Sequence, residues 1–141
     1  MTMKRKTIIA AMAVFAMTTL SSVASASALT PLPKEYHINQ SLMSAKVADT
    51  IRKTCPSISA RMLVALGKAN ALKSYAVSKG YKEDEVRAFL KDPVEKARVK
   101  GIAADYLKSH GAVVGNAESY CTLGHDEIAK KSLIGQMLRA R

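Results

Sequence analysis

Lys53-Thr54-Cys55-Pro56-Ser57-Ile58-Ser59 and the distant Tyr120-Cys121-Thr122-Leu123-Gly124 hold the two cysteines of this 141-residue chain. Cys55 continues an apolar stripe formed by Met43, Val47, Ala48 and Ile51 at helical spacing, and Pro56 ends that helix, so its thiol is expected to point into a core. The interval to Cys121 is too long and too helical for a paired metal-binding motif. A structural disulfide is therefore the leading reading. The alternative pairs Cys121 with His125, four residues on, as two metal ligands on one helical face, although Gly124 between them weakens such a helix. A Cys-His nucleophile would need a reduced thiol of low pKa, which an oxidised pair or a cysteine on an apolar stripe does not supply.

The compartment expected from the N-terminus agrees with an oxidised pair. Lys4, Arg5 and Lys6 precede a mostly apolar run from Thr7 to Leu20, and small residues follow through Ser21-Ser22-Val23-Ala24-Ser25-Ala26-Ser27-Ala28. These are the three parts of a signal peptide, and the apolar run is shorter than the ~20 residues a membrane span needs. Residues 1–28 are read as a signal cleaved after Ala28, which predicts a periplasmic location where disulfides persist. Cleavage leaves 113 residues with nineteen basic and eleven acidic side chains, a formal charge of +8. A chain of this size buries only a modest core.

Residues 29–38 read as an extended lead, because Pro31 and Pro33 push their predecessors out of the helical region. Residues 39–141 read as one all-helical domain of about five helices stapled by the disulfide. Asn39 is the expected cap of the first helix. Ser57 or Ser59 is expected to cap a second running to about Lys79, with Met62, Leu63, Leu66, Ala69, Leu72 and Ala76 inward and Gly80 as its stop. Glu83, Asp84 and Glu85 suit the N-terminus of a short third helix that turns Val86, Phe89 and Leu90 inward. Asp92-Pro93-Val94-Glu95 is the sharpest local signal: a capping aspartate, a proline at the first helical position, and a glutamate three residues after the cap. The fourth helix runs from there to His110-Gly111, with Gly101 as a place for a close helix crossing. Asn116 is expected to cap a short turn carrying Tyr120 and Cys121, interrupted at Gly124. His125-Asp126-Glu127 is expected to open a last helix with Ile128, Ile134, Met137 and Leu138 on one side. No stretch alternates with period two over a strand's length.

No catalytic, metal or cofactor-binding set emerges. The sequence has no nucleophile elbow, no phosphate-cradling glycine loop and no two-cysteine redox motif. His110 beside Gly111 suits a helix C-terminus better than a metal. Lys and Arg are spread over every helix without interleaved tyrosines, which argues against nucleic acid. Lys130, Lys131, Arg139 and Arg141 form a candidate basic face toward an acidic protein or an anionic envelope component. Contact with a membrane would be peripheral at most, since the apolar side of the last helix is read as closing the core.

His37-Ile38-Asn39, the two cysteine stretches quoted above, Ala71-Leu72-Lys73-Ser74, Gly80-Tyr81, Val86-Arg87-Ala88, Glu95-Lys96-Ala97-Arg98 and Glu127-Ile128-Ala129 resemble a family of small exported alphaproteobacterial proteins of unassigned function. The resemblance implies an exported helical domain with a disulfide, and no activity, cofactor or site. The function expected from the residues is a non-enzymatic exported binding or accessory protein with an anionic or acidic partner. The other readings are a small periplasmic stress chaperone and, third, an enzyme with an unfamiliar site.

Overall fold

Helix α1 (Tyr36–Thr54) is the axis on which the other elements pack, in a computed structural model that describes residues 28–141. The signal-peptide reading falls on residues outside those described, except for Ala28. Five further helices follow: α2 (Met62–Ser78), α3 (Glu83–Lys91), α4 (Pro93–Ser109), α5 (Ala117–Ala129) and the single turn α6 (Leu133–Gln136). Helical architecture and a Cys55–Cys121 disulfide are thus what the chain adopts, with an S–S distance of 2.08 Å across a sequence separation of 66.

Two short strands were not expected. β1 (Ile58–Ala60) and β2 (Leu138–Ala140) pair antiparallel, with Ile58 opposite Ala140 and Ala60 opposite Leu138. Three residues are too few to display an alternating pattern, and each strand exists only because its distant partner satisfies its backbone. The ribbon continues past its ends, where Arg61 N–H donates to Met137 O at 2.8 Å and Arg141 N–H to Ser57 O at 2.9 Å.

The lead is shorter than expected and partly folded. A 3-10 turn at Leu32–Lys34 precedes α1, and Glu35, not Asn39, caps that helix by accepting from Ile38 N–H at 2.6 Å. Asn39 lies one turn inside the helix, where its amide donates to the carbonyls of Leu32 and Glu35 and its side-chain oxygen accepts from Arg98. It ties the lead and α4 to α1. Leu32 and Ile38 are buried.

The helix ends follow local chemistry closely. α2 and α4 both close with a left-handed glycine, Gly80 at φ 104° and Gly111 at φ 90°. In each, the next two N–H groups return to the last turn: Tyr81 to Ala76 O and Gly80 to Val77 O, then Ala112 to Leu107 O and Gly111 to Lys108 O. This is the paired 6→1 and 5→2 pattern that satisfies orphan carbonyls. α5 ends in the same way with Lys131 in the left-handed position at φ 51°. Asp92 caps α4 through Val94 N–H at 2.7 Å, while Glu95 turns to Arg98 and does not reach back to the cap. The acidic run Glu83, Asp84 and Glu85 occupies the first turn of α3.

Two helices differ from expectation in ways that matter for the site. α5 runs unbroken through Gly124, whose missing side chain lets α1 and β1 approach: a Cβ there would overlap Ile58 and Ile51. His125, Asp126 and Glu127 therefore lie inside α5, and Ser132 caps the final turn through Gly135 N–H at 3.0 Å. Gly101 is exposed with nothing near its Cβ position, so no helix crosses there. α2 buries only Ala76 of its expected inward face. Met62, Leu63 and Leu66 are 64 %, 86 % and 59 % exposed. Its apolar residues encircle the helix, so spacing alone does not select a buried side.

Two cores result. The larger gathers Met43, Val47, Ile51, Cys55 and Ile58 with Leu107, Tyr120, Cys121, Leu123, Ile134, Met137 and Leu138. The smaller gathers Leu32, Ile38, Ala76, Tyr81 and Val86. Ile134, Met137 and Leu138 thus belong to the core, as their apolar side suggested.

Candidate functional site

Around the disulfide, the sulfurs of Cys55 and Cys121 are buried and bonded to each other. Ser57 Oγ lies 3.2 Å from Cys55 Sγ, 3.8 Å from Cys121 Sγ and 3.4 Å from His125 Nε2. His125 therefore faces a hydroxyl above the cross-link rather than sharing a metal with Cys121. A serine beside a histidine is half of a hydrolytic triad, yet no carboxylate bonds this imidazole among the described residues, and the hydroxyl spans the sulfurs. Its role in this geometry is to cover the disulfide. Among the described residues no three His, Cys, Asp or Glu side chains are grouped to hold a metal ion.

The basic residues Lys130, Lys131, Arg139 and Arg141 are all exposed but do not share one helix. Lys130 and Lys131 form the turn after α5, whereas Arg139 lies on β2, where its Nε donates to Ser59 Oγ at 3.1 Å. Beneath the turn, Glu127 is 3 % exposed and accepts from Tyr106 Oη at 2.8 Å and from Ser132 Oγ. Burial first, and then the bond to Glu127, push the Tyr106 hydroxyl up to about 12. The sign follows directly: a tyrosine that ionises near 10 when unfolded but near 12 when folded costs nothing below pH 10, and stability falls as pH rises from 10 to 12. Tyr106→Phe is expected to lower neutral-pH stability by roughly 1.5–3 kcal/mol, the usual worth of a hydrogen bond to a charged group, and to abolish part of the alkaline loss. Urea titrations at pH 7 and pH 11 check both; an unchanged alkaline loss in the variant would contradict the assignment.

A concavity lies elsewhere, between α1 and α2. α2 is fixed near its start through Arg61 and Ala65 and near its end through Leu72, Tyr75 and Ala76, and between those anchors it stands off from α1. The groove left has a volume of about 390 Å³. Its walls come from Ser41, Leu42, Ala45 and Ala48 of α1 and from Met62, Ala65, Ala69 and Leu72 of α2, with Val86, Phe89 and Leu90 of α3 closing one side. Small side chains on both helices keep it open. Polar groups stand among the lining residues: Arg52, Lys68, Lys73, His37 and Asp49. Asp49 carries bonds from Arg52 at 2.6 Å and Lys53 at 2.7 Å. Burial works to raise its carboxyl, but those cations outweigh it and hold the group below the ordinary aspartate range. Among the described residues Lys68 Nζ makes no ion pair and donates to the neutral Gln136 Oε1 at 2.7 Å, and Lys73 lies 4.0 Å from Glu83. The groove is therefore apolar along its walls and cationic in balance among its charged residues.

Sequence reading turned Ala48 of α1, Met62, Ala69 and Leu72 of α2, and Val86, Phe89 and Leu90 of α3 inward by their spacing, and singled out none of Ser41, Leu42, Ala45 and Ala65. The one signal that pointed elsewhere was α2 itself, apolar around its whole circumference and carrying no acidic residue. Among the described residues no helix is long and apolar enough to cross a membrane. No curated protein and no solved structure matches the chain. A family model does match, over residues 30–139, spanning both cysteines, the groove and most of the ribbon: the chain belongs to the family of unknown function DUF5333.

Proposed function

We propose that this protein is an exported, non-enzymatic binding or accessory protein whose site is the groove between α1 and α2, and whose partner is part apolar and part anionic. The observation that carries this reading is the groove itself, apolar-walled and of a size in the range of small-ligand sites, with a surplus of cations among its charged residues. Export is supported by the buried disulfide, which persists in non-reducing compartments, and by the signal-like residues 1–28, which point to the periplasm. Ser41 lines the groove with His37 and Asp49, but no hydrogen bond joins its hydroxyl to either among the described residues, and the reading as a binder rather than an enzyme rests on that.

A pair of fluorophores tests it: anilinonaphthalene sulfonate and the neutral N-phenylnaphthylamine share an aromatic body and differ in the anion. Both are expected to bind saturably, the sulfonate more tightly, with its advantage shrinking as salt rises to ~0.3 M. Ala69→Trp, which fills the groove from an exposed helix position, is expected to weaken both about tenfold, or ~1.4 kcal/mol. Equal binding to wild type and variant would defeat the reading. The exposed Met62, Leu63 and Leu66 favour a second reading, a small periplasmic stress chaperone. Suppression of client aggregation that is lost in a Leu63→Ser, Leu66→Ser variant and kept in Ala69→Trp would select it.

A further inference from the structure

A second cavity, of about 370 Å³, abuts the groove and opens between α1, α3 and α4. Leu42, Phe89 and Leu90 line both, so these three side chains are the shared wall. Ala97 and Val99 complete the apolar lining, and Lys46, Lys96, Lys100 and Glu95 are its charged residues. Glu95 is engaged by Arg98 Nε at 2.7 Å. Lys46 has a long contact of 3.8 Å with Asp49, a carboxylate already bonded by Arg52 and Lys53 at shorter range. Lys96 and Lys100 make no ion pair among the described residues. They stand four apart on α4, where two like charges on one face repel and weaken the helix. An anion between them removes that repulsion.

Resting on the groove reading above, we propose that the ligand is a single-chain anionic amphiphile: its head group sits among Lys46, Lys96 and Lys100, and its chain crosses Leu42, Phe89 and Leu90 into the groove. Phe89 and Leu90 are only half-buried and sit near the end of the nine-residue α3, so the wall is made of side chains with room to rotate. The combined space suits one chain rather than two. A peptide fits it less well, because the walls are helix surfaces with no strand edge to pair with an extended backbone, and a second helix is about 10–12 Å across. The lysine stems can lie along the apolar lining while their ammonium groups meet the head group.

The test uses palmitate and its neutral counterpart, cetyl alcohol, at submicellar concentration, with displacement of N-phenylnaphthylamine as the readout. Palmitate is expected to displace the fluorophore at one equivalent and cetyl alcohol at least tenfold less well. A Lys96→Gln, Lys100→Gln double variant, altered only at exposed helix positions, is expected to lose palmitate affinity about tenfold and to keep its affinity for the neutral fluorophore. Leu90→Trp, placed in the shared wall, is expected to weaken palmitate more than it weakens the fluorophore. If the fluorophore binds and palmitate does not displace it, the amphiphile is excluded while the groove reading stands. If the fluorophore does not bind either, both fail. Displacement by an acidic amphipathic peptide but not by palmitate, or loss of the site through concentration-dependent dimerisation on sizing, would also overturn the proposal.

Discussion

A Cys55→Ser, Cys121→Ser protein is expected to unfold about 4 kcal/mol more easily than the oxidised wild type, the chain-entropy value for a cross-link spanning 66 residues. That is a large share of the roughly 5–15 kcal/mol that holds a domain of this kind together. The effect has a structural side as well. Cys55 follows the last turn of α1, and Cys121 lies on α5 beside Tyr120, both inside the larger core. Loss of the bond leaves two polar hydroxyls where buried sulfurs had packed, adding to the entropic loss. Urea titration of the variant, and of the wild type with and without reductant, measures it. A midpoint shift worth less than about 1 kcal/mol would mean that α1 and α5 hold their relation without the cross-link.

Gly135→Ala is the second substitution expected to act strongly, through contact rather than backbone preference. A methyl at that position would overlap the backbone carbonyl of Glu127, at the closing turn of α5. Overpacking costs about 1–3 kcal/mol when side chains can yield, and a backbone group at a helix end yields less, so a loss of roughly 3 kcal/mol or more is expected. The clash would also disturb the Ser132 hydroxyl, which bonds both the Glu127 carboxylate and Gly135 N–H. Gly67→Ala is the matched control. Gly67 lies within α2 with nothing near its Cβ position, and the same substitution there should stabilise by roughly 0.5–1 kcal/mol. Thermal melts of the two variants should therefore move in opposite directions; a Gly135→Ala melt that does not fall would refute the packing described for α5 and α6.

Much of the fold was legible because its signals are local. Asp92-Pro93 fixed a helix start, Gly80 and Gly111 fixed helix ends, and Cys55 on an apolar stripe announced a buried sulfur. The misreadings have two physical origins: partners remote along the chain, and residues in local roles that their type does not announce. Asn39 has the chemistry of a cap, yet Glu35 is better placed, and the amide is spent on Leu32, Glu35 and Arg98. Lys131 takes a conformation usually given to glycine, so the end of α5 carried no mark in the sequence. Gly124 is in a helix because a neighbour presses close, and nothing nearby in sequence tells a helix breaker from a contact point. The groove was the least legible feature, since alanines facing a cavity and alanines facing a core follow the same period.

Neither strand of the ribbon can form alone, and the residues that join them are separated by most of the domain. On a growing chain, Ile58–Ala60 waits without a partner until Leu138–Ala140 has been made, and so does the seam from Ser57 to Arg141. Completion of the native state is thereby postponed until every described helix has been synthesised, so the last residues to leave the ribosome are the ones that close the seam.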